Sequence, residues 1–115
     1  MAKYLCYGNF VGDGVQGLLK DGGSGRVSAV KKLFESVGGT MECYYYAFGN
    51  YDYFIIADMP DNVSAASVSL TVSATGLVRN NVAVLITPEE MDQVAKKPLA
   101  YRGPGIKVPA DLGNF

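Results

Sequence analysis

The spacing of apolar residues along the chain predicts a short strand followed by an interrupted helical stretch. Lys3 to Phe10 contains a short apolar run, Tyr4-Leu5-Cys6-Tyr7, which Gly8-Asn9 ends and which is typical of a buried first strand. Asp13 and Gln16 then resemble an N-cap and its reciprocal partner, and they predict a brief helix. We expect Gly22-Gly23 to break this helix.

The clearest helical pattern follows Ser24. Apolar residues recur there at spacings of three and four and stop at Gly38-Gly39. The residues in this stripe are Val27, Val30, Phe34 and Val37. The pattern predicts a second, longer helix on this part of the chain.

The most aromatic part of the chain, residues 44–53, predicts a β-hairpin. Residues 40–48 and 51–58 are apolar on both sides of Gly49-Asn50. A two-residue turn needs positive φ, which glycine adopts without a Cβ clash. We therefore expect two antiparallel strands joined directly at Gly49-Asn50.

Strict alternation along the hairpin strands distributes apolar side chains over both sheet faces. On the first strand, Met41 and Tyr45 would share one face, while Tyr44 and Tyr46 would share the other. Neither face is polar throughout, so both faces of the sheet need cover.

Residues 61–76 fit two patterns. Apolar residues alternate with Ser and Thr, as in a strand, but Pro60-Asp61 supplies a helix start and Gly76 a helix stop. We expect the helix, because a crossover must connect the hairpin to the next apolar strand, residues 82–86.

The remaining chain predicts a short helix and an arm. Thr87-Pro88-Glu89-Glu90 is a capping box with proline at the first helical position, and Lys96-Lys97-Pro98 ends the helix. The stretch from Leu99 onward is rich in proline and glycine, which predicts an extended arm.

The predicted element order is β-α-β-β-α-β plus a C-terminal helix and arm, which is an α+β, ferredoxin-like arrangement with both main helices on one face of the sheet. Residues 1–98 would form the domain and residues 99–115 the arm. The uncovered face would expose a larger apolar patch than a soluble monomer usually tolerates. We therefore expect a homodimer or a higher homo-oligomer.

Charge and chain composition limit the partners. A net charge of −1 and a pI near 5.2 give no field that attracts polyphosphates, so nucleic acid and anionic membranes are poor partners. The first residues lack the apolar stretch of a signal peptide, and no apolar run reaches transmembrane length. We expect a cytoplasmic protein.

The absence of histidine from the sequence excludes common chemistries. Most zinc, non-haem iron and haem sites use imidazole, as do Ser-His and Cys-His nucleophiles. Cys6 and Cys43, the only cysteines, are too far apart in sequence for a CxxC site. We expect no metal ligand set and no cofactor.

Two glycine-rich segments each have a functional and a structural interpretation. Residues 12–17 match the GxGxxG dinucleotide pattern, but the chain is too short for a doubly wound sheet, which favours a turn and a helix start. Ser24 and Arg26, beside free helical amides, could bind a carboxylate or a phosphate. The alternative is a helix break with a serine cap and a solvated arginine.

Asp52 is the candidate ionisable group of the aromatic segment. With a raised pKa it could act as a catalytic base, and Tyr46, Tyr51 and Tyr53 could donate hydrogen bonds to a ligand or stack on it. Alternatively, Asp52 only accepts hydrogen bonds that hold the turn. Alternation places Tyr51 and Tyr53 on the face opposite Asp52.

Several short motifs, in this order along the chain, resemble the GYD domain family of small bacterial proteins. These are Met1-Ala2-Lys3-Tyr4, the Gly-Val-rich residues 14–19, Gly22-Gly23 with Arg26, Gly38-Gly39, Phe48-Gly49-Asn50-Tyr51-Asp52, Pro60-Asp61 and Thr87-Pro88-Glu89-Glu90. The resemblance covers roughly residues 1–102, and the Gly-Tyr-Asp signature is interrupted here by Asn50.

The resemblance implies a ferredoxin-like fold related to the dimeric α/β barrel group, in which two sheets pack face to face and each subunit can hold a pocket. It implies no established activity and no catalytic residues. Our leading hypothesis is therefore a homo-oligomeric small-molecule-binding protein with an aromatic pocket near Asp52, a cofactor-independent enzyme being one form of it. The competing hypothesis is a non-catalytic assembly or partner-binding module.

Overall fold

The computed structural model describes residues 1–107, which form a four-stranded antiparallel sheet and three helices. The elements, in chain order, are β1 (Ala2–Phe10), α1 (Gly14–Ser36), β2 (Thr40–Tyr46), β3 (Tyr53–Met59), α2 (Asn62–Ala74), β4 (Val78–Leu85) and α3 (Pro88–Ala95). The strand order is β2-β3-β1-β4. The predicted α+β class is confirmed, and the arrangement is consistent with a ferredoxin-like fold.

The chain divides into two compact units, with the boundary between Leu85 and Ile86. The sheet, α1 and α2 belong to the first unit, and its core lies between one sheet face and these two helices. The strands contribute every second residue of β1 and β3 to this core, as a half-buried sheet should. The buried apolar residues of the core are Tyr4, Cys6, Phe10, Val30, Phe34, Tyr53, Ile55, Ala57, Met59, Ala65, Val68 and Val78.

The helix α1 contains a break at the predicted place. Gly22 has φ 76° and ψ 164°, a conformation that residues with a Cβ strongly avoid, so two helical segments meet there. The expected side-chain cap at Asp13 is wrong, because that side chain makes no capping hydrogen bond. Gly12 instead turns the chain with φ 55°, and the Gly14 N–H donates to the Val11 carbonyl at 2.8 Å.

The GxGxxG match at residues 12–17 serves this turn. Gly12 supplies the positive φ, and a Cβ at Gly14 would overlap the carbonyl oxygen of Leu77. Positive φ explains the glycine at position 12, and close backbone contact explains the glycine at position 14.

The connection between β2 and β3 is longer than the predicted two-residue turn. The Ala47 N–H donates to the Asp52 carbonyl at 2.8 Å, which leaves a four-residue loop over residues 48–51. Gly49 does not have positive φ. The predicted two-residue turn is therefore wrong. Four-residue loops are usually built around a type I turn, in which φ is negative, so this loop does not need positive φ at Gly49.

The strand β2 contains a β-bulge, and the bulge reverses the alternation that the sequence predicts. Its register with β3 shifts between Met41 and Cys43. Met41 faces the helices, and beyond the bulge Tyr44 and Tyr46 face them as well, whereas Tyr45 faces away. The predicted grouping of Met41 with Tyr45 is therefore wrong.

Two strand boundaries also differ from the prediction. β1 continues through Gly8 to Phe10 rather than ending at Gly8-Asn9, and β4 begins at Val78. A Cβ at Gly8 would overlap the Arg79 carbonyl oxygen of the neighbouring strand. The glycine thus permits close strand contact instead of ending the strand.

Both later helices begin as predicted. The Asp61 carboxylate accepts the Ser64 N–H at 2.8 Å and starts α2, which confirms the helix over the alternative strand. In α3, Thr87 and Glu90 form the predicted capping box. No helix among residues 1–107 is long and apolar enough to cross a membrane. The predicted arm forms no helix or strand as far as residue 107, and its remainder, residues 108–115, lies outside the described residues.

Candidate functional site

A small cavity lies in the first unit, beneath the sheet and next to both helices. Its volume is about 30 Å³, enough for one or two water molecules. A wider groove of about 280 Å³ is lined by residues of α1 and α2. Phe10, Arg26 and Val30 are among the residues that line both spaces, so the groove adjoins the cavity at these side chains.

Arg26 stands where the groove meets the cavity, four residues after the break in α1. Its Nε atom is buried and has no hydrogen-bond partner within residues 1–107. The ion pairs in this part of the chain involve Lys3, with Glu42 and Asp58, and not Arg26. A buried donor without an acceptor is costly, which makes this guanidinium a candidate ligand-binding group.

Tyr53 and Asn80 form the polar end of the cavity. The Tyr53 hydroxyl donates a hydrogen bond to Asn80 Oδ1, and Asn80 Nδ2 donates to Ser69 Oγ at 3.1 Å. Burial raises the pKa of Tyr53 well above its usual value, although the nearby Arg26 charge lowers it. The phenol is therefore neutral at physiological pH and serves as a hydrogen-bond donor.

Tyr44 and Tyr46 line the β2 side of this region. Their ring centroids are 4.7 Å apart, and Tyr44 itself borders the cavity. Burial, aided by a hydrogen bond with Tyr46, raises the pKa of Tyr44. The Tyr46 hydroxyl donates to the Gly23 carbonyl at 2.8 Å, which attaches β2 to the break in α1.

Asp52 lies outside the Arg26 cavity and holds the hairpin loop against β1. Its Oδ2 accepts the Phe10 N–H at 2.9 Å, and its own N–H donates to the Gly8 carbonyl at 2.8 Å. It borders a shallow depression with Leu18 and Tyr46. The geometry favours the structural interpretation, in which Asp52 fixes the loop.

The structure does not bring all the predicted site residues together. Arg26 and Tyr53 line the cavity, and Tyr46 lies beside it. Tyr51 packs edge to face against Tyr7, with ring centroids 4.9 Å apart, on the sheet face that α1 and α2 do not cover. Ser24 is exposed on α1 and lines neither the cavity nor the groove.

Sequence reasoning missed two cavity residues, Tyr44 and Asn80. Tyr44 reaches the cavity on the strand that contains the bulge, which no residue pattern revealed. Asn80 lies on a part of β4 that was not predicted as strand. The alternation of Val78, Asn80 and Val82 was the available signal for an inward polar side chain.

The thiols offer no evident reactive centre. Cys6 and Cys43 are free, and β3 separates their strands. Burial raises the pKa of Cys6 to about 11, so its thiol stays protonated at neutral pH. Within residues 1–107, no three acidic or cysteine side chains are grouped closely enough to hold a metal. Independence from metals stays a prediction.

Together, these features define a class of α+β protein in which a helix-covered antiparallel sheet encloses a small, partly polar cavity. The description "GYD domain" matches residues 4–95, most of the chain. The chain therefore belongs to the GYD domain family, which confirms the resemblance seen in the sequence. No curated protein and no solved structure matches it significantly.

Proposed function

We propose that the protein is a homo-oligomeric small-molecule-binding protein whose ligand occupies the groove between α1 and α2 and reaches the cavity beneath the sheet. One observation carries the proposal: Arg26 borders both spaces and keeps a buried Nε that has no partner among residues 1–107. A bound ligand oxygen would satisfy that donor. Natural sites commonly retain such destabilising groups because function requires them.

The cavity chemistry suits polarisation of a ligand oxygen more than base catalysis. Burial raises the pKa of Tyr44 and Tyr53, so both phenols stay protonated at neutral pH and donate hydrogen bonds. A cofactor-independent enzyme would turn the Tyr53 O–H from Asn80 to a substrate oxygen and so stabilise negative charge there. Binding is the function that the geometry supports first, and catalysis would be a further property of the same pocket.

The proposed pocket adjoins the site predicted near Asp52 without including it. Phe10 and Leu18 line both the groove and the depression that contains Asp52. A ligand that extends along these two side chains would come close to the Asp52 carboxylate. A catalytic role for Asp52 therefore requires a longer ligand than the Arg26 cavity alone would hold.

The assembly we propose is a dimeric α/β barrel, in which the uncovered sheet faces of two copies pack together. Tyr45 is 69% exposed and Phe54 36% exposed on that face, where Tyr7 and Tyr51 add further aromatic surface. Apolar surface of this kind marks protein contacts. We also place the protein in the cytoplasm, because its two free thiols suit a reducing compartment.

A thermal-shift screen of metabolites, repeated on a groove-blocking variant, tests the proposed pocket. Ala29 is an exposed residue of α1 that lines the groove, so Ala29→Trp should fill it without disturbing the core. Ser28→Trp is the matched control, since it puts the same bulk on the neighbouring exposed position outside the groove.

A ligand at tenfold its Kd should stabilise the wild type by about 1.4 kcal/mol, equivalent to roughly 4 °C or more in Tm. Ser28→Trp should retain this shift and Ala29→Trp should lose it. A ligand that stabilises both variants equally would contradict a pocket in the groove.

The alternative function, a non-catalytic assembly module, is favoured by the exposed aromatic sheet face. It predicts that no metabolite stabilises the wild type, while substitutions on that face still change the oligomeric state. The two functions therefore predict different results in the ligand screen but the same oligomeric assembly.

A further inference from the structure

We infer that the ligand of this pocket is a small organic monoanion, a carboxylate on a flat apolar body, and that Arg26 binds its carboxylate. The inference rests on the proposed function and adds the chemical class of the ligand. It follows from the charge, the hydrogen-bonding groups and the dimensions of the two connected spaces.

The charged side chains that line the two spaces determine how many negative charges the ligand can carry. Among the residues that the structure describes, Arg26 is the only charged side chain lining the inner cavity, and the other lining residues are apolar or neutral. One negative charge would compensate the guanidinium in this apolar setting, whereas a dianion would bury an unpaired charge. Asp21, which also lines the groove, would repel a second anionic group.

The free hydrogen-bonding atom points to a carboxylate. The partnerless atom of Arg26 is Nε, which together with the neighbouring Nη forms a planar pair of N–H donors. A carboxylate accepts both hydrogen bonds side by side, while an alcohol or a ketone offers one oxygen to the pair. The cavity of about 30 Å³ is small enough to select a compact acidic group.

The surrounding rings and aliphatic side chains suit a flat, apolar body. The Phe10 ring lines both the cavity and the groove, and it contacts the Tyr53 ring of the cavity, with ring centroids 5.5 Å apart. Leu33 and Val72 continue this apolar lining into the groove. A groove of about 280 Å³ is near the lower end for ligand pockets, which indicates a body of one or two rings.

A matched pair of probes, 2-naphthoate and 2-naphthamide, tests the inference by titration calorimetry on the full-length protein. The two probes share one body, and only the first is charged at neutral pH. The wild type should bind the carboxylate at least about tenfold more tightly than the amide, because a charge-assisted pair of hydrogen bonds is lost with the amide.

Arg26→Gln should abolish this preference by weakening only 2-naphthoate. Arg26→Lys, which keeps the charge without the planar donor pair, should give an intermediate preference. Arg79→Gln is the matched control and should leave the preference intact, because Arg79 is exposed on the opposite face of the sheet. Circular dichroism of each variant checks that the fold is retained.

The outcomes separate this inference from the proposed function. Suppose that the wild type and Arg26→Gln bind both probes equally well, and that Ala29→Trp binds neither. That result would overturn the monoanion assignment and would still support the pocket. Failure of 2-naphthoate to bind at millimolar concentration would also overturn the assignment. The metabolite screen then decides the proposed function by itself, since any ligand lost in Ala29→Trp supports the pocket.

Discussion

At the scale of single residues, burial of Cys6 links protein stability to alkaline pH. The side chain is 2% exposed, and burial raises its pKa from an ordinary 9.0 to about 11. Below pH 9 the thiol is protonated in both the folded and the unfolded states. Between pH 9 and 11 the unfolded state loses the proton more readily, so the stability that the neutral thiol contributes is progressively lost.

Cys6→Ala should therefore lower the free energy of unfolding at neutral pH, and this loss should be smaller at high pH. We expect a deficit of about 1 kcal/mol at pH 7, from lost packing, that shrinks above pH 8 and changes sign before pH 11, because the linked loss of stability in the wild type exceeds that deficit. Urea unfolding at each pH measures it. Val30→Ala, a buried truncation without a titratable group, is the control and should keep a constant deficit. A Cys6→Ala deficit that is also constant would contradict the linkage.

The residues of the candidate site were only partly predictable. Arg26 stood out because an arginine directly after three closely spaced glycines suggested an anion site. Tyr44 and Asn80 escaped notice, since their place at the cavity depends on a bulge and on the true start of β4. Both features arise from pairing with distant strands, which local residue patterns do not encode.

At the scale of elements, the helix signals were the most informative parts of the sequence. The caps at Asp61 and Thr87 and the break at Gly22 rest on local hydrogen bonds and local backbone geometry, so short motifs predicted them correctly. The hairpin turn failed because Asp52, bonded to β1, fixes a longer loop. Contacts distant in sequence outweighed the glycine signal there.

At this scale, the break in α1 predicts that replacing glycine by alanine has opposite effects on stability at two positions of the same helix. Gly22→Ala should destabilise the protein by about 1–3 kcal/mol, because residues with a Cβ strongly avoid the φ and ψ angles of Gly22. The cost is conformational, since no atom lies within 4 Å of the place that the new Cβ would occupy. Gly17→Ala, in the same helix and equally free of contacts but without positive φ, should stabilise by about 0.5–1 kcal/mol.

Chemical denaturation of the two glycine variants measures both free energies of unfolding. Opposite signs would establish that the break is a backbone requirement of Gly22. If Gly22→Ala stabilises the protein as Gly17→Ala does, the helix can run straight through and the break is not fixed by the fold.

At the scale of the whole molecule, the uncovered sheet face governs the expected assembly. Phe54 stacks on Tyr7 at 6.2 Å and meets Tyr51 edge on at 6.0 Å, so these three rings form one aromatic surface. Two such faces would bury each other in a symmetric dimer. The sequence predicted apolar side chains on both faces, although the bulge changed which tyrosines lie on each.

Phe54→Glu should convert the proposed dimer into monomers, because a charge buried in the contact would have no partner. We expect the dimer dissociation constant to rise by about a hundredfold or more, as measured by light scattering over a dilution series. Leu70→Glu is the control: it adds the same charge to an apolar residue of α2 that is 70% exposed. It should leave the dimer intact. A wild type that is monomeric at micromolar concentration would contradict the assembly.

The bulge in β2 also determines where the chain can change length during evolution. Glu42 is the surplus residue, so its in-frame deletion would leave Tyr44 opposite Ile55 and Tyr46 opposite Tyr53. Its loss would remove only the Lys3–Glu42 ion pair, at 2.8 Å, which is exposed and contributes little. Deletion of Cys43 would also remove the bulge, with Glu42 then opposite Ile56, whereas deletion of Tyr44 would place Cys43 opposite Ile55 and take a phenol from the cavity. Relatives should therefore tolerate a one-residue gap at position 42 or 43 and resist one at position 44.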